Sequence, residues 1–204
     1  MYRINDILRS EGSNEVTVIC ESESFIITLR DAETLGFDAG NEIDEEEYAA
    51  LCEARERLNC IKKAFTHLSY GDLSEKQLRD KLKKKFPAEL SADVASLFAE
   101  RGYVDDARLA ERYAETFYVY KNMGLGKIRE QLYRRGISRE NIENALAKYT
   151  EEDQCSRIRE YIAKKYDVAQ LSDDKYRRKV YSGLVRAGFA YGDVSDVLSN
   201  FESE

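Results

Sequence analysis

Residues 127–146 read KIREQLYRRGISRENIENAL, and residues 179–198 read KVYSGLVRAGFAYGDVSDVL. A shift of 52 places superposes Ile128 on Val180, Leu132 on Leu184, Gly136 on Gly188, Ile137 on Phe189, Ile142 on Val194 and Leu146 on Leu198. A shift of 50 brings in an earlier stretch, SEKQLRDKLKKKF (74–86), with Leu78 on Ile128 and Leu82 on Leu132. Within each copy the apolar residues keep helical spacing. Recurrence at a near-fixed period signals stacked copies of one supersecondary unit. Each copy predicts three helices: one entering, one basic in the middle, one leaving.

The joints between those helices carry their own signals. Ser74 and Gln77 make a capping box, with Leu73 and Leu78 placed as a hydrophobic staple. Ser138 is placed to cap a helix stapled by Ile137 and Ile142, and Asp105 to cap one stapled by Val104 and Leu109. Gly136 and Gly188 fall where a helix C-terminus wants positive φ.

Outward from the repeats, composition agrees. The 204 residues include one Pro, eleven Gly and no Trp, so strong helix breakers are scarce. The start, MYRINDILRS, has no apolar run of signal-peptide type, and no stretch approaches the length of a membrane span. We therefore expect a soluble cytoplasmic protein that is a monomer and touches no membrane. The formal net charge of -7 hides an asymmetry. Residues 1–60 carry 5 basic and 15 acidic residues, residues 61–150 carry 18 and 13, and residues 151–204 carry 9 and 11. An acidic front and a basic middle face different partners.

The front reads as β. EVTVIC (15–20) and FIITLR (25–30) are rich in β-branched residues and flank the polar ESES, which predicts a hairpin. EIDEEEY then opens a helix whose acidic first turn suits the helix dipole. The expected fold is mainly α: three tandem three-helix repeats, helix-turn-helix-like units, behind a small N-terminal β-hairpin module. The boundaries are 1–58 for the hairpin plus acidic helix start, then 59–104, 105–150 and 151–204 for repeats 1 to 3.

Few residues invite chemistry. Asp105 and Asp106 have no histidine or second carboxylate pair tied to them, and capping accounts for their place. GLGK (124–127) lacks the spacing of a phosphate loop and reads as a flexible loop and helix start. Cys20, Cys52, Cys60 and Cys155 form no C-x-x-C pair, and His67 alone completes no metal set. Cys52 and Cys60 on one helix stand about 12 Å apart along its axis, too far to bridge. Reduced, buried thiols are expected. The residues give no reason to call the protein an enzyme, and no catalytic, cofactor or metal residues are assigned. Most tyrosines sit in helical patterns and read as packing, although exposed ones could stack on bases.

What recurs outside the core is basic charge. Lys84, Arg134 and Arg186 occupy one place on successive middle helices, followed by Lys85, Arg135 and Ala187. Lys81 lies three residues before Lys84, on the same face. Stacked repeats that share a ligand surface repeat its sign at equivalent positions.

SEKQLRDKLKKK (74–85), RGYVDDARLAERY (101–113) and GKIREQLYRRGIS (126–138) closely resemble three signature blocks of the RecX family, regulators of the RecA recombinase. The likeness covers about residues 60–200, and the front resembles the N-terminal extension of some members. The resemblance implies an all-helical array of three-helix repeats. It also implies a non-catalytic protein that binds the RecA–single-stranded DNA filament and inhibits recombinase and co-protease activity. Carried over by position, it points to Lys81, Lys84, Lys85, Lys127, Arg129, Arg134 and Arg135 as contacts; the repeat alignment adds Arg186. Phe86-Pro87 stands where a Gly is usual, and the acidic balance argues against strong binding to free DNA. The alternatives are a stand-alone DNA-binding protein and a helical-repeat interaction scaffold. The residues lack the Asn/Gln/Arg cluster at a helix start that base readout favours.

Overall fold

A computed structural model describes residues 1–9, 12–21 and 23–201; of Glu151 and Glu152 it describes the backbone. It divides into two compact units, one of Met1–Leu73 with Leu78–Tyr103, the other of Ser74–Gln77 with Val104 onward.

The first unit opens with strands β1 (Tyr2–Arg9), β2 (Glu15–Cys20) and β3 (Ser24–Thr28), then helix α1 (Leu29–Leu35) and the two-residue strand β4 (Glu42–Ile43). The expected hairpin is β2–β3; Ser22 in its loop lies outside the described residues. The hairpin is one side of a larger antiparallel sheet, ordered β3-β2-β1-β4, with β3 at its edge. Strand periodicity places Val16, Val18 and Cys20 on one face, with Phe25 and Ile27 from β3 beside them. These five are buried, together with Ile4, Phe37 and Ile43, against Leu51 and Ala54 of helix α2 (Glu45–Leu68). FIITLR leaves the strand at Thr28, whose hydroxyl accepts the Asp31 N–H and starts α1.

Asp44 and Glu47 make a complete capping box at the start of α2. Near the hairpin tip, Glu23 accepts from the Tyr48 hydroxyl at 2.5 Å and from Arg55 at 2.6 Å. Tyr48 stacks on Tyr2 with centroids 3.9 Å apart. Sheet and helix are thus tied by a polar clamp beside the apolar core. The unit continues with α3 (Glu75–Leu82), whose first turn belongs to the second unit, and α4 (Ala88–Glu100), which packs on α2.

The second unit carries α5 (Asp106–Glu115), α6 (Leu125–Arg134) and α7 (Arg139–Leu146), then α8 (Glu151–Lys165), α9 (Asp174–Arg186) and α10 (Tyr191–Asn200). In each triplet the first helix packs on the third: α2 on α4, α5 on α7, α8 on α10. The aligned positions are the core. Ile128, Leu132, Ile137, Ile142 and Leu146 are buried in one cluster; Val180, Leu184, Phe189, Val194 and Leu198 are buried in the next.

The turn after each middle helix follows from sequence. Gly136 and Gly188 have φ of 81° and 94°. Ile137 N–H reaches back to Leu132 O and Phe189 N–H to Leu184 O, both at 3.3 Å. This is the Schellman ending that glycine permits. After α3 the turn differs, as Phe86-Pro87 implies: Lys85 and Phe86 N–H both return to Leu82 O, and Pro87 precedes α4. Ser138 and Asp105 cap α7 and α5 through Asn141 N–H and Arg108 N–H.

Candidate partner-binding surface

Within the second unit one kind of joint recurs, first between the Ser74–Gln77 turn and the end of α6 and then between α6 and the end of α9. The Ser74 hydroxyl donates to Arg135 O, and the Lys76 side chain lies over Gly136. In the next copy, Gly124 N–H donates to Ala187 O at 2.9 Å and Gly126 N–H to Gly188 O at 3.0 Å. The start of one middle helix therefore sits on the turn that ends the next. GLGK is accordingly a packed joint and not a flexible loop. A Cβ on Gly124 would lie 2.2 Å from the Gly188 carbonyl carbon. The amides of Gly124 and Gly126 are spent on Ala187 and Gly188, so they do not face a phosphate.

The joint sets the environment of the basic residues. Arg134 and Arg186 are the last residues of α6 and α9, and Lys84 follows α3 by two; all three are exposed. Cations near helix C-termini are favoured by the helix dipole, which explains part of the recurrence without a partner. Arg134 also pairs with Glu130 one turn back, and Arg186 Nε donates to Ser182 O at 3.1 Å.

Arg129 and Arg135 are more committed. Arg129 holds Glu143 by two hydrogen bonds, of 2.8 and 2.9 Å. That pairing pushes the Arg129 guanidinium up and the Glu143 carboxyl down from their ordinary values. Arg135 is half-buried, with its guanidinium 4.8 Å from the Tyr113 ring and 5.1 Å from Phe117, and Nη1 donates to Gln131 O at 2.8 Å. Lys127 is half-buried and bonds loosely, at 3.5 Å, to Arg186 O.

In the first unit, Lys81, Lys84 and Lys85 are exposed around the end of α3. Burial first, then Lys63, Lys81, Lys84 and Lys85, hold the His67 imidazole below its ordinary value. Lys63 of α2 thus joins the cluster. The sequence reading missed it because it comes from a different helix; only its helical spacing from His67 (i, i+4) was visible.

The residues considered for chemistry are occupied otherwise. Asp105 caps α5. The Asp106 carboxylate accepts Glu75 N–H at 3.0 Å at the start of α3, and burial pushes its pKa up. No disulfide joins the four cysteines; Cys20 and Cys60 are buried, Cys52 and Cys155 half-buried. Burial, then Glu56, raises Cys60 to about 11, so that thiol stays protonated. Among the described residues no group of three His, Cys, Asp or Glu is placed to hold a metal, and no helix is long and apolar enough to cross a membrane.

Residues 105–146 match a family model described as RecX, second three-helix domain. The chain is 35% identical to the regulatory protein RecX of Caldanaerobacter subterraneus subsp. tengcongensis, over 96% of this chain and 98% of that one. It belongs to the RecX family. A second RecX, from Clostridioides difficile, is 25% identical over 94% of this chain and 91% of its own length. A crystal structure of a regulatory protein RecX superposes over the whole of both chains with a TM-score of 0.80 at 22% identity, a likeness of fold. Lys127, Arg129, Arg134 and Arg135 all lie in the segment that matches the RecX second domain.

Proposed function

We propose that this RecX-family chain binds the RecA–single-stranded DNA filament and inhibits RecA recombinase and co-protease activity. It acts as a cytoplasmic monomer and performs no chemistry. One observation carries the proposal: Arg134 and Arg186 end the middle helices of two successive repeats, Lys84 stands just past the end of the one before, and each is exposed. A cation repeated at the same place in successive three-helix copies suits a partner that is itself repetitive and polyanionic. Lys81, Lys85 and Lys127 extend the contact. Arg129 and Arg135 are also contact candidates, but their bonds to Glu143 and Gln131 give them a second task, holding α6 in place.

The direct test is RecA ATPase on single-stranded DNA with the wild-type chain added. The expected result is a dose-dependent loss of turnover that weakens as salt rises, because exposed charges are screened over a Debye length of about 8 Å at physiological ionic strength. Unchanged ATPase at saturating protein would contradict the proposal.

A further inference from the structure

Helices α1, α2 and α4 enclose a groove of about 520 Å³ that lies wholly within the first unit. Leu35, Ala54 and Leu90, one from each helix, give it an apolar floor. Glu53 and Glu56 of α2 and Glu89 and Asp93 of α4 stand around that floor, all four exposed. Because α1 belongs to the front module and lies outside the three-helix copies, the groove is particular to this end of the chain.

The fold employs other acids of this unit. Glu15 pairs with Lys62, Glu23 pairs with Arg55, and Asp44 and Glu47 cap α2. Asp31, at the edge of the groove, accepts the Thr28 hydroxyl. Among the described residues no cation lies within ion-pair distance of Glu53, Glu56, Glu89 or Asp93, and Arg57, the cation of the lining, bonds none of them. The helix dipole favours Glu89, in the first turn of α4; it does not reach the other three. Each helix thus carries two like charges one turn apart, a spacing at which they repel.

An occupant that relieves this must be cationic and amphipathic. A wholly apolar one would bury four carboxylates without partners. A metal ion wants converging ligands, and among the described residues no group of three His, Cys, Asp or Glu is placed to hold one. Lys and Arg carry apolar stems that end in a charge, so the stems can lie on the floor while the heads reach the acids. From Ala50 to Arg57 the α2 bank rises about 10 Å, the length of about two helical turns. We propose that this groove docks a short basic segment of a partner protein, in which Lys or Arg flanks an aliphatic residue. The acidic excess of residues 1–60, 15 acidic against 5 basic, steers such a segment in. The inference does not rest on filament inhibition.

The test is fluorescence anisotropy of a short labelled peptide of Arg, Lys and Leu titrated with the full chain, with no recombinase or DNA present. The expected result is saturable binding that weakens when Ser replaces Leu in the peptide. Glu53→Gln, Glu56→Gln, Glu89→Gln and Asp93→Asn, combined, should weaken it about 5-fold or more, at roughly 1.5- to 5-fold per exposed ion pair. Glu33→Gln, Glu42→Gln, Glu45→Gln and Glu46→Gln, combined, remove the same charge outside the groove. They should leave the affinity within about 2-fold, because more distant charge is screened. Thermal melts should report both variants folded. No saturable binding would overturn the proposal, as would equal affinity for the Ser peptide. Equal losses in the two variants would overturn it too, leaving only the overall charge of the front. So would a wild-type dimer on sedimentation, or a rise in melting temperature with magnesium, that the groove variant abolishes; the groove would then belong to a second copy or to a cation.

Discussion

The amide of Gly124 donates to the carbonyl of Ala187 at 2.9 Å, with the Gly124 Cα packed against the Gly188 peptide. Fifty residues earlier Ser74 makes the corresponding bond to Arg135 O, using its hydroxyl. The two joints are one design executed with different donors. Glycine serves where backbone meets backbone, and serine where a side chain can reach.

Gly124→Ala should therefore be costly. The new Cβ would meet backbone atoms of Gly188 and Phe189 at 2.2–2.4 Å, which cannot rotate away. Overpacking of this kind costs about 1–3 kcal/mol, or a melting temperature lower by roughly 2–4 °C per kcal/mol in a chain of this size. Gly192→Ala, in α10 with nothing within 4 Å of its Cβ, should be neutral or stabilising. Equal melting curves for Gly124→Ala and wild type would show that the joint yields.

Asp106 offers a finer test of the same joint. Burial raises its pKa, so its ionisation opposes folding. With the folded value above the unfolded one, its stabilising contribution is full below the unfolded pKa and fades as pH rises through the folded one. Asp106→Asn keeps an acceptor for Glu75 N–H without a buried charge and should melt at or above wild type at pH 7. Asp106→Ala removes the acceptor and should cost about 0.5–2 kcal/mol. Thermal melts of both variants decide it: Asn at or below Ala would contradict the assignment.

How much of this was legible in the sequence depended on how local each signal was. The caps and the β2–β3 strands are written in residues a few places apart, and the repeat shows as local helical spacing that recurs at 50 and 52 residues; the helices and strands lie where those patterns placed them. β1 escaped because its alternation breaks at an irregularity between Ile4 and Asp6, and β4 because two residues make no pattern. Local spacing placed a helix start at GLGK, where α6 does begin, but the joint depends on Gly188, some sixty residues away, so the packing of Gly124 was read as a flexible loop. The basic residues were visible as charges, but what each does is set at a distance. Glu143 claims Arg129, Tyr113 and Phe117 shelter Arg135, and Lys63 reaches the lysine cluster from another helix.

The front module should show its clamp in a pH series. Hydrogen bonds from Tyr48 and then Arg55 hold the Glu23 carboxyl below its ordinary value, and the bond to Glu23 pushes Tyr48 up to about 12. For Glu23 the folded pKa is depressed. Its contribution is present above the ordinary carboxylate value of about 4.3 and is lost as pH falls through the folded value. For Tyr48 the folded pKa is raised, so its contribution is complete below the ordinary phenol value of about 10 and is lost only as pH rises through about 12. The difference in melting temperature between wild type and Glu23→Gln should be largest near pH 7 and shrink towards pH 3. A gap that is constant with pH would remove the charge from the account.

If the repeated cations act together on a RecA–DNA filament, reversing their charge should abolish inhibition. The measurement is RecA ATPase on single-stranded DNA with the triple variant Lys84→Glu, Arg134→Glu, Arg186→Glu. Each Glu near a helix C-terminus costs only a fraction of a kcal/mol to about 1 kcal/mol, so circular dichroism should report a folded chain. Glu140→Lys is the control; Glu143 is unsuitable because it holds Arg129. Wild type and Glu140→Lys should inhibit RecA, and the triple variant should not. A folded triple variant that inhibits as strongly as wild type would contradict it, leaving the cations as partners of their own helix ends.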